Sequence, residues 1–490
     1  MNCFKIMVAT DNHLGYYEKD TNRREDSFLA LEEVLKAAND QECDFIILGG
    51  DLFHDNNPTK YTLNRTMRMF SQHVLGDNSV KFETLSESSE LNYLDKNLNV
   101  KMPVFIIHGN HDDPSADTNI SAINLMQSAH YLNYMKCVIS EDTVIVRPIV
   151  LKKQETCVYI YGLGNIKEER LNRLLREDKV VFEKPENEKS AVFLLVVHQN
   201  RYKGNGLGPS SKNCVMDWVF PKFFDLVIWG HEHDCFTEPR TVQNRGYKIY
   251  QPGSTVSTSL TEGEARAKHM FLLQIRDLAY KMTPIPILSS RQILFKHVEL
   301  SELSQRSSDL MASVSEIFEE LLKTADKQRR IWPPLVRLKI EVTGFEDFPG
   351  FALNSKFSDV SGNKDVVSIW KRTVQGKEEG TKFELKTGSG LEDILKLMKR
   401  ELLEIRNEFS ILNVEQFIGK VSEFVEKGEN RGLEEYFDRK IEMACGSVKE
   451  SVKVFDEGII KKKVSELDIS GDEPCVKRRP EPISGKKMKL

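Results

Sequence analysis

Again and again in the first half of this 490-residue chain, a short apolar run stops abruptly at Asp, Asn or His, usually with glycine alongside. Phe4 to Ala9 leads to Asp11, and Phe45–Leu48 leads to Gly49-Gly50-Asp51. Residues 104–107 precede His108-Gly109-Asn110-His111, residues 192–197 precede His198, and residues 226–229 precede Gly230-His231-Glu232-His233. Runs of roughly four to six apolar residues, rich in Val and Ile, read as strands buried on both faces. Between them lie helical patterns such as Phe28, Leu31, Leu35 and Ala38. Strands alternating with helices predict an α/β domain. In such sheets ligands bind beyond the carboxyl ends of the strands, where these polar residues fall.

Residues 247–251 and 270–275 read as the closing strands of this domain, and Thr283-Pro284-Ile285-Pro286 as a linker. From 336 to 342 apolar and charged residues alternate, which predicts a half-exposed strand in a second, smaller α/β domain. The glycine-rich stretch 376–390 reads as a mobile loop. Two amphipathic helices follow, one carrying Ile394, Leu397, Met398, Leu402 and Ile405, the other Val414, Phe417, Ile418, Val421, Phe424 and Val425. The expected divisions are therefore 1–282, 290–390, a helical region 391–460 and a disordered basic tail 461–490.

Acidic residues barely outnumber basic ones, 74 to 69, so net charge neither favours nor excludes a nucleic-acid partner. No run of about eighteen apolar residues predicts a membrane span, and no membrane partner is expected. The start of the chain reads directly into a strand without a signal-peptide flank. Eight cysteines with no C-x-x-C pair read as reduced thiols, which predicts a cytosolic or nuclear setting. Two basic clusters in the tail favour the nucleus.

The polar residues after the strands supply carboxylate, imidazole and amide groups, a mixture that suits Mn²⁺, Fe²⁺ or Zn²⁺. In Asp11-x-His13 and His231-x-His233, alternate residues of extended backbone face one way, so each pair can serve one site. A single Asp-x-His or Gly-Asn-His is weak evidence, since a histidine after a strand is usually an ordinary hydrogen-bonded one. Their ordered repetition is what carries the metal reading.

That order of D-x-H, G-D, G-N-H, lone H and G-H-x-H resembles the signature of the calcineurin-like metallophosphoesterases. The resemblance implies a four-layer αββα sandwich and two metals about 3.5–4 Å apart. On this chain it assigns Asp11, His13, Asp51 and His233 to one metal and Asp51, Asn110, His198 and His231 to the other. His111 would stabilise charge or protonate the leaving oxygen. Protein phosphatases of this class carry D-R-G after the bridging aspartate. Here the turn reads Asp51-Leu52-Phe53-His54-Asp55-Asn56, without Arg or Lys, which fits a diester rather than a monoester. His54 is a candidate to orient His111, the alternative being a structural histidine.

Longer words, including TDNHLGYYEKD, ILGGDLFHDNNPT, PVFIIHGNHDDP, VVHQNR, DLVIWGHEH and QPGSTVSTSL, resemble the eukaryotic DNA double-strand-break repair nucleases of this superfamily. The match is dense over residues 1–300, thins towards residue 429 and is absent from the tail, and Asn12 departs from it between the first two ligands. It implies a Mn²⁺-dependent 3′→5′ exonuclease and endonuclease, with two Mn²⁺ per chain, in break repair and meiotic recombination. The 290–390 domain would be a DNA-binding cap. Implied partners are double-stranded DNA ends, a second copy of the chain, the Rad-fifty ABC-type ATPase on the 391–460 helices, and nibrin on the 76–99 insertion. Cap-domain core is the other reading of those helices.

Leu63, Met67, Phe70 and Val74 form one apolar helical stripe, and Ile123, Met126 and Leu132 another. They are candidates for a homodimer seam or for ordinary core. Lys60, Arg65, Arg201 and Lys203 are candidate phosphate contacts or plain surface charge. The rival function is a catalytically weak DNA-end-binding scaffold. A cyclic-nucleotide diesterase would leave the second domain and the paired helices unexplained.

Overall fold

The computed structural model describes residues 3–372, apart from 87–89, 115–119, 141, 185–190, 203–212, 301–306, 326–331, 344–349 and 359. Residues 1–374 form one compact unit. The expected loop at 376–390, the helices at 391–460, the basic tail and Lys203 all lie outside the described residues.

The Phe4–Ala9 strand shows why the chain folds as layers. Successive side chains of a strand point to opposite faces. Accordingly Phe4, Ile6 and Val8 enter one core, while Met7 and Ala9 enter another. This strand sits inside a six-stranded sheet, ordered Ala279–Pro286, His269–Arg276, Phe4–Ala9, Phe45–Leu48, Val104–Ile106 and Asn133–Tyr134. The first two strands join antiparallel and the rest run parallel. Parallel neighbours need crossovers, which the helices Asp26–Asp40, Lys60–Val74 and Ala122–Ser128 supply. Phe28, Leu31, Leu35 and Ala38 are all buried under the first of these, as their spacing predicts.

A second, seven-stranded sheet runs Arg240–Thr241, Lys248–Tyr250, Leu226–Gly230, Ala191–His198, Thr156–Leu163, Ile149–Lys153 and Glu83–Thr84. The two sheets pack face to face, with Phe4, Ile6, Phe45 and Phe105 meeting Val158, Ile160, Leu194 and Ile228 in a shared core. Residues 76–99 are partly built into this sheet, because Glu83–Thr84 pairs with its edge.

The α/β architecture follows the sequence reading, with three differences. First, the outer layer over the second sheet is thin. It holds the short helix Glu168–Arg176, the three-stranded sheet Val180–Phe182, Val144–Val146 and Val138–Ile139, and a Phe-rich loop. Second, Thr283-Pro284-Ile285-Pro286 is no linker, since it completes the Ala279–Pro286 strand. Proline lacks the N–H that a central strand needs, and this strand lies at the sheet edge, where that lack is tolerated. Third, Phe70, Val74, Ile123, Met126 and Leu132 are buried against the first sheet. Those stripes are core, and only Leu63 and Met67 remain partly buried at the flank.

Beyond residue 290, three parallel strands, Ile293–Leu300, Leu335–Thr343 and Val367–Arg372, are joined by helices Ser307–Lys323 and Gly350–Ser358. The alternation at 336–342 appears as expected, with Val336, Leu338 and Ile340 in a small core of its own. The approach to this sheet is pinned to helix Asp26–Asp40. Glu33 accepts the backbone N–H groups of Leu288 and Ser289 at 2.8 Å each. Buried Arg291 donates to Asp26 at 2.7 Å and to the Asn22 carbonyl.

Candidate metal centre

The two sheets present their carboxyl ends at one place. From the first sheet come Asp11 and His13 after Phe4–Ala9, Asp51 after Phe45–Leu48, and Asn110 and His111 after Val104–Ile106. From the second come His198, the last residue of its strand, and His231 and His233 beyond Leu226–Gly230. The loops after the first two strands keep running side by side. Asp11 N donates to Gly50 O at 3.1 Å and His13 N to Asp51 O at 3.0 Å.

This packing strains the backbone. Asp11, His13, Asp51 and His231 have φ of 53°, 46°, 49° and 80°. Non-glycine residues in that left-handed region cost on the order of 1–3 kcal/mol each and persist only where the surroundings enforce them. Glycine is required where backbone touches the candidate ligand side chains. A Cβ on Gly109 would fall on Asp51 Oδ1, and one on Gly50, at φ 100°, would fall on His198 Nδ1.

Two groups of three donors form, Asp11–His13–His233 and Asp51–His198–His231, each with its donor atoms mutually within 4.8 Å. Their members interlock. Asp51 Oδ2 lies 3.3 Å from His198 Nε2 and 3.8 Å from His13 Nε2, so it reaches both groups. Asp11 Oδ1 also spans them, at 3.6 Å from His233 Nε2 and 3.9 Å from His198 Nε2. Asn110 Oδ1 lies 2.8 Å from His231 Nδ1 and 3.3 Å from His198 Nε2. Asp11, His13, Asp51 and His198 form a buried floor, while Asn110 is exposed at the rim. All seven expected ligand residues are therefore together.

The electrostatics fit a cation. Among the described residues, neither Asp11 nor Asp51 is ion-paired to lysine or arginine. Burial alone would depress His198, but Asp51 and Asp11 lift its pKa to about 10. Burial penalises charge on Asp51, yet His198 and His13 hold it well below the carboxylate range. A proton on His198 thus balances charge that a divalent ion would balance instead. Burial keeps His13 well below the usual histidine value despite Asp51, so its nitrogen is free to ligate. The imidazole, carboxylate and amide donors match Mn²⁺, Fe²⁺ or Zn²⁺ chemistry.

His54 and His111 stand beside this floor. Their rings stack at 4.9 Å between centroids, and His111 Nδ1 lies 2.6 Å from the His54 backbone oxygen. His54 therefore holds His111 through its carbonyl as well as its ring, and Tyr16 packs 4.5 Å behind it. His13, His54 and His111 also form a close trio. That trio lacks a carboxylate and shares His13 with the first group, so it is the poorer cation site.

The sequence reading missed the residues behind the ligands. Asp112 is fully buried and accepts the N–H groups of Leu52 and Gly109, both at 2.6 Å, which ties the second and third motif loops together. Burial and nearby Asp51 push its pKa up to about 7. Nothing in His111-Asp112-Asp113 marks Asp112 over its half-exposed neighbour. Glu264, also buried, holds the loop around His233, and it lies outside every quoted motif.

The candidate phosphate contacts fare unequally. Lys60 is exposed at the start of its helix. Arg65 pairs with Glu25 at 3.1 Å. Arg201 is corrected: it is 8% exposed, pairs with Asp217 at 2.8 and 3.0 Å and donates to Gln251 at 2.8 Å. Its charge is neutralised inside the protein, which makes it a structural residue.

Two packed sheets carry such a cluster at their carboxyl ends, and residues 4–235 match the calcineurin-like phosphoesterase family. Similar proteins include the double-strand break repair protein MRE11 of Arabidopsis thaliana, 37% identical over 402 residues, covering 76% of this chain and 55% of that one. The Homo sapiens protein of the same name is 35% identical over 483 residues, covering 92% and 67% respectively. Double-strand break repair protein mus-23 of Neurospora crassa is 33% identical over 507 residues, covering 93% and 66%. The chain belongs to the MRE11 family of double-strand break repair proteins. It spans little more than half of the Arabidopsis relative's length.

Proposed function

We propose that this chain is a DNA phosphodiesterase of double-strand-break repair, cutting as a 3′→5′ exonuclease and an endonuclease with two Mn²⁺ ions. The observation that carries the reading is the convergence of Asp11, His13, Asp51, Asn110, His198, His231 and His233 from two sheets, with Asp51 reaching histidines of both groups. Asp11, His13 and His233 would hold one ion, His198, His231 and Asn110 the other, and Asp51 would bridge. When bound, a divalent pair supplies Lewis acidity and activates water for in-line attack. Manganese is favoured over magnesium because imidazole-rich sites suit a less strongly hydrated ion.

The chain's own residues do the rest. Donation from His111 Nδ1 to the His54 carbonyl would fix the ring and leave Nε2 for the leaving oxygen. The turn at Leu52-Phe53-His54 offers no cation to clamp a monoester dianion, which supports a diester substrate. Exposed Lys60 remains a candidate phosphate contact, and Arg65 a weaker one because Glu25 already pairs with it. The small parallel sheet after residue 290 would serve as a DNA-binding cap.

Family membership extends the proposal to a nuclear homodimer on double-stranded DNA ends. It would work with the Rad-fifty ATPase through residues 391–460 and with nibrin through the 76–99 insertion. No helix among the described residues is long and apolar enough to cross a membrane.

Incubating the purified chain with a labelled blunt duplex in Mn²⁺, Mg²⁺ or EDTA tests the enzyme reading. Cleavage in Mn²⁺, little in Mg²⁺ and none in EDTA is expected. Duplex binding without cleavage in every condition would favour the scaffold instead.

A further inference from the structure

Each histidine of a metal site has two ring nitrogens, and the partner of one decides which lone pair the other offers. His198 turns its Nδ1 to the Gly49 carbonyl at 2.8 Å, an ordinary backbone arrangement. His233 is held differently. Its Nδ1 lies 2.7 Å from Thr258 Oγ1, the Thr258 hydroxyl donates to Glu264 Oε1 at 3.0 Å, and Glu264 Oε1 itself stands farther off, 3.4 Å from the same Nδ1.

Glu264 is the hub of this arrangement. It is 3% exposed and accepts the backbone N–H groups of Thr258 at 3.0 Å and Ser259 at 2.9 Å, and the Ser259 hydroxyl at 2.7 Å. Buried Lys268 donates to Glu264 at 3.2 Å and to the His233 backbone oxygen at 3.1 Å. The residue is thus gripped from both sides, its ring through Thr258 and its main chain through Lys268. An ionised carboxylate only accepts. The Thr258 hydrogen must therefore point at Glu264, which leaves its oxygen to accept from His233 Nδ1–H. The Nε2 lone pair is then directed towards Asp11 Oδ1, 3.6 Å away, and His13 Nε2, 3.0 Å away.

We infer that Glu264, acting through the Thr258 hydroxyl, is the positioning residue that fixes the tautomer and ring of His233 and so sets affinity at the Asp11–His13–His233 metal position alone. The inference rests on the two-metal reading above. His198 and His231 have no carboxylate relay of this kind among the described residues, so the second position is independent of it. Outer partners of metal-bound histidines typically change metal affinity by about 10–100-fold.

The test is Mn²⁺ binding by isothermal titration, with total metal content and thermal unfolding of the metal-free protein, on the full chain. Thr258→Val removes the relaying hydroxyl while keeping shape and the Glu264–Lys268 pair, and Thr258→Ser restores the hydroxyl. Glu264→Gln is the second variant. In Thr258→Val and Glu264→Gln, one of two Mn²⁺ events should weaken by about 10–100-fold and the other stay as in the wild type. Thr258→Ser should return the first event to near its original strength. Two unchanged events in Thr258→Val would overturn the inference, as would equal weakening of both. If Glu264→Gln unfolds, the Val and Ser pair still decides the matter. A wild type that binds no Mn²⁺ would instead sink the metal reading itself.

Discussion

His13 Nε2 and His233 Nε2 lie 3.0 Å apart, brought together from positions 220 residues apart in the chain. Two imidazole lone pairs aimed at one point repel unless a proton or a cation stands between them. Asp11, 3.6 Å from His233 Nε2, supplies negative charge to balance whichever positive charge sits there, and a divalent ion satisfies both rings at once.

Metal should therefore stabilise the fold. A ligand bound only by the native state adds about 2.7 kcal/mol at a hundred times its Kd. Thermal unfolding of the chelated protein and of the same protein with saturating Mn²⁺ should differ by several degrees. Identical midpoints would mean that the cluster binds no Mn²⁺ of consequence.

Binding should also release a proton near neutral pH. His198, lifted to about 10 by Asp51 and Asp11 against the effect of burial, is charged in the metal-free protein. Its folded value exceeds the unfolded one. Its stabilising contribution is thus complete below about pH 6.5 and is lost as pH rises through 10. A cation competes with that proton, so Mn²⁺ affinity should rise by about tenfold per pH unit per proton released. Calorimetry in buffers of different ionisation enthalpy measures the release. A heat independent of buffer would count against a protonated His198.

The clustering of the candidate ligands was legible in the sequence because strand-end residues are read through local pattern. Buried runs fix the strands, and parallel sheets bring their carboxyl ends to one edge. What lies behind the ligands was not legible. Glu264 contacts His233 only because the 254–268 loop folds back, and Arg201 looks like any basic residue after a motif until Asp217 and Gln251 close around it. The helical stripe at Phe70 and Val74 has the same spacing whether it faces a sheet or a second copy. Period alone does not name the partner.

Arg201→Ala should therefore destabilise the fold rather than loosen DNA binding. It leaves the Asp217 carboxylate, 7% exposed, without this guanidinium, although Arg240 still reaches it at 3.1 Å. Breaking a buried pair costs about 3–5 kcal/mol, and the remaining arginine places the expected loss at the lower end. Urea unfolding measures it. Unchanged stability with weaker duplex binding would restore Arg201 as a phosphate contact.

Phe70→Ala should behave as a core deletion, destabilising by about 3–5 kcal/mol. Light scattering on the folded fraction should show the wild-type oligomeric state, because Phe70 is fully buried within one chain. A clean change of oligomeric state at unchanged stability would put this helix back in a seam.

The most direct test of the two-metal nuclease is His111→Asn, with metal content and Mn²⁺-dependent duplex cleavage measured on one preparation. His111 sits beside the floor, held by the His54 carbonyl at 2.6 Å, and belongs to neither carboxylate-bearing group. The variant should retain two Mn²⁺ per chain. Its cleavage rate should fall by about 10²–10⁴-fold, the usual contribution of a positioned general acid. Loss of metal together with activity would make His111 a ligand, and undiminished cleavage would take it out of the chemistry altogether.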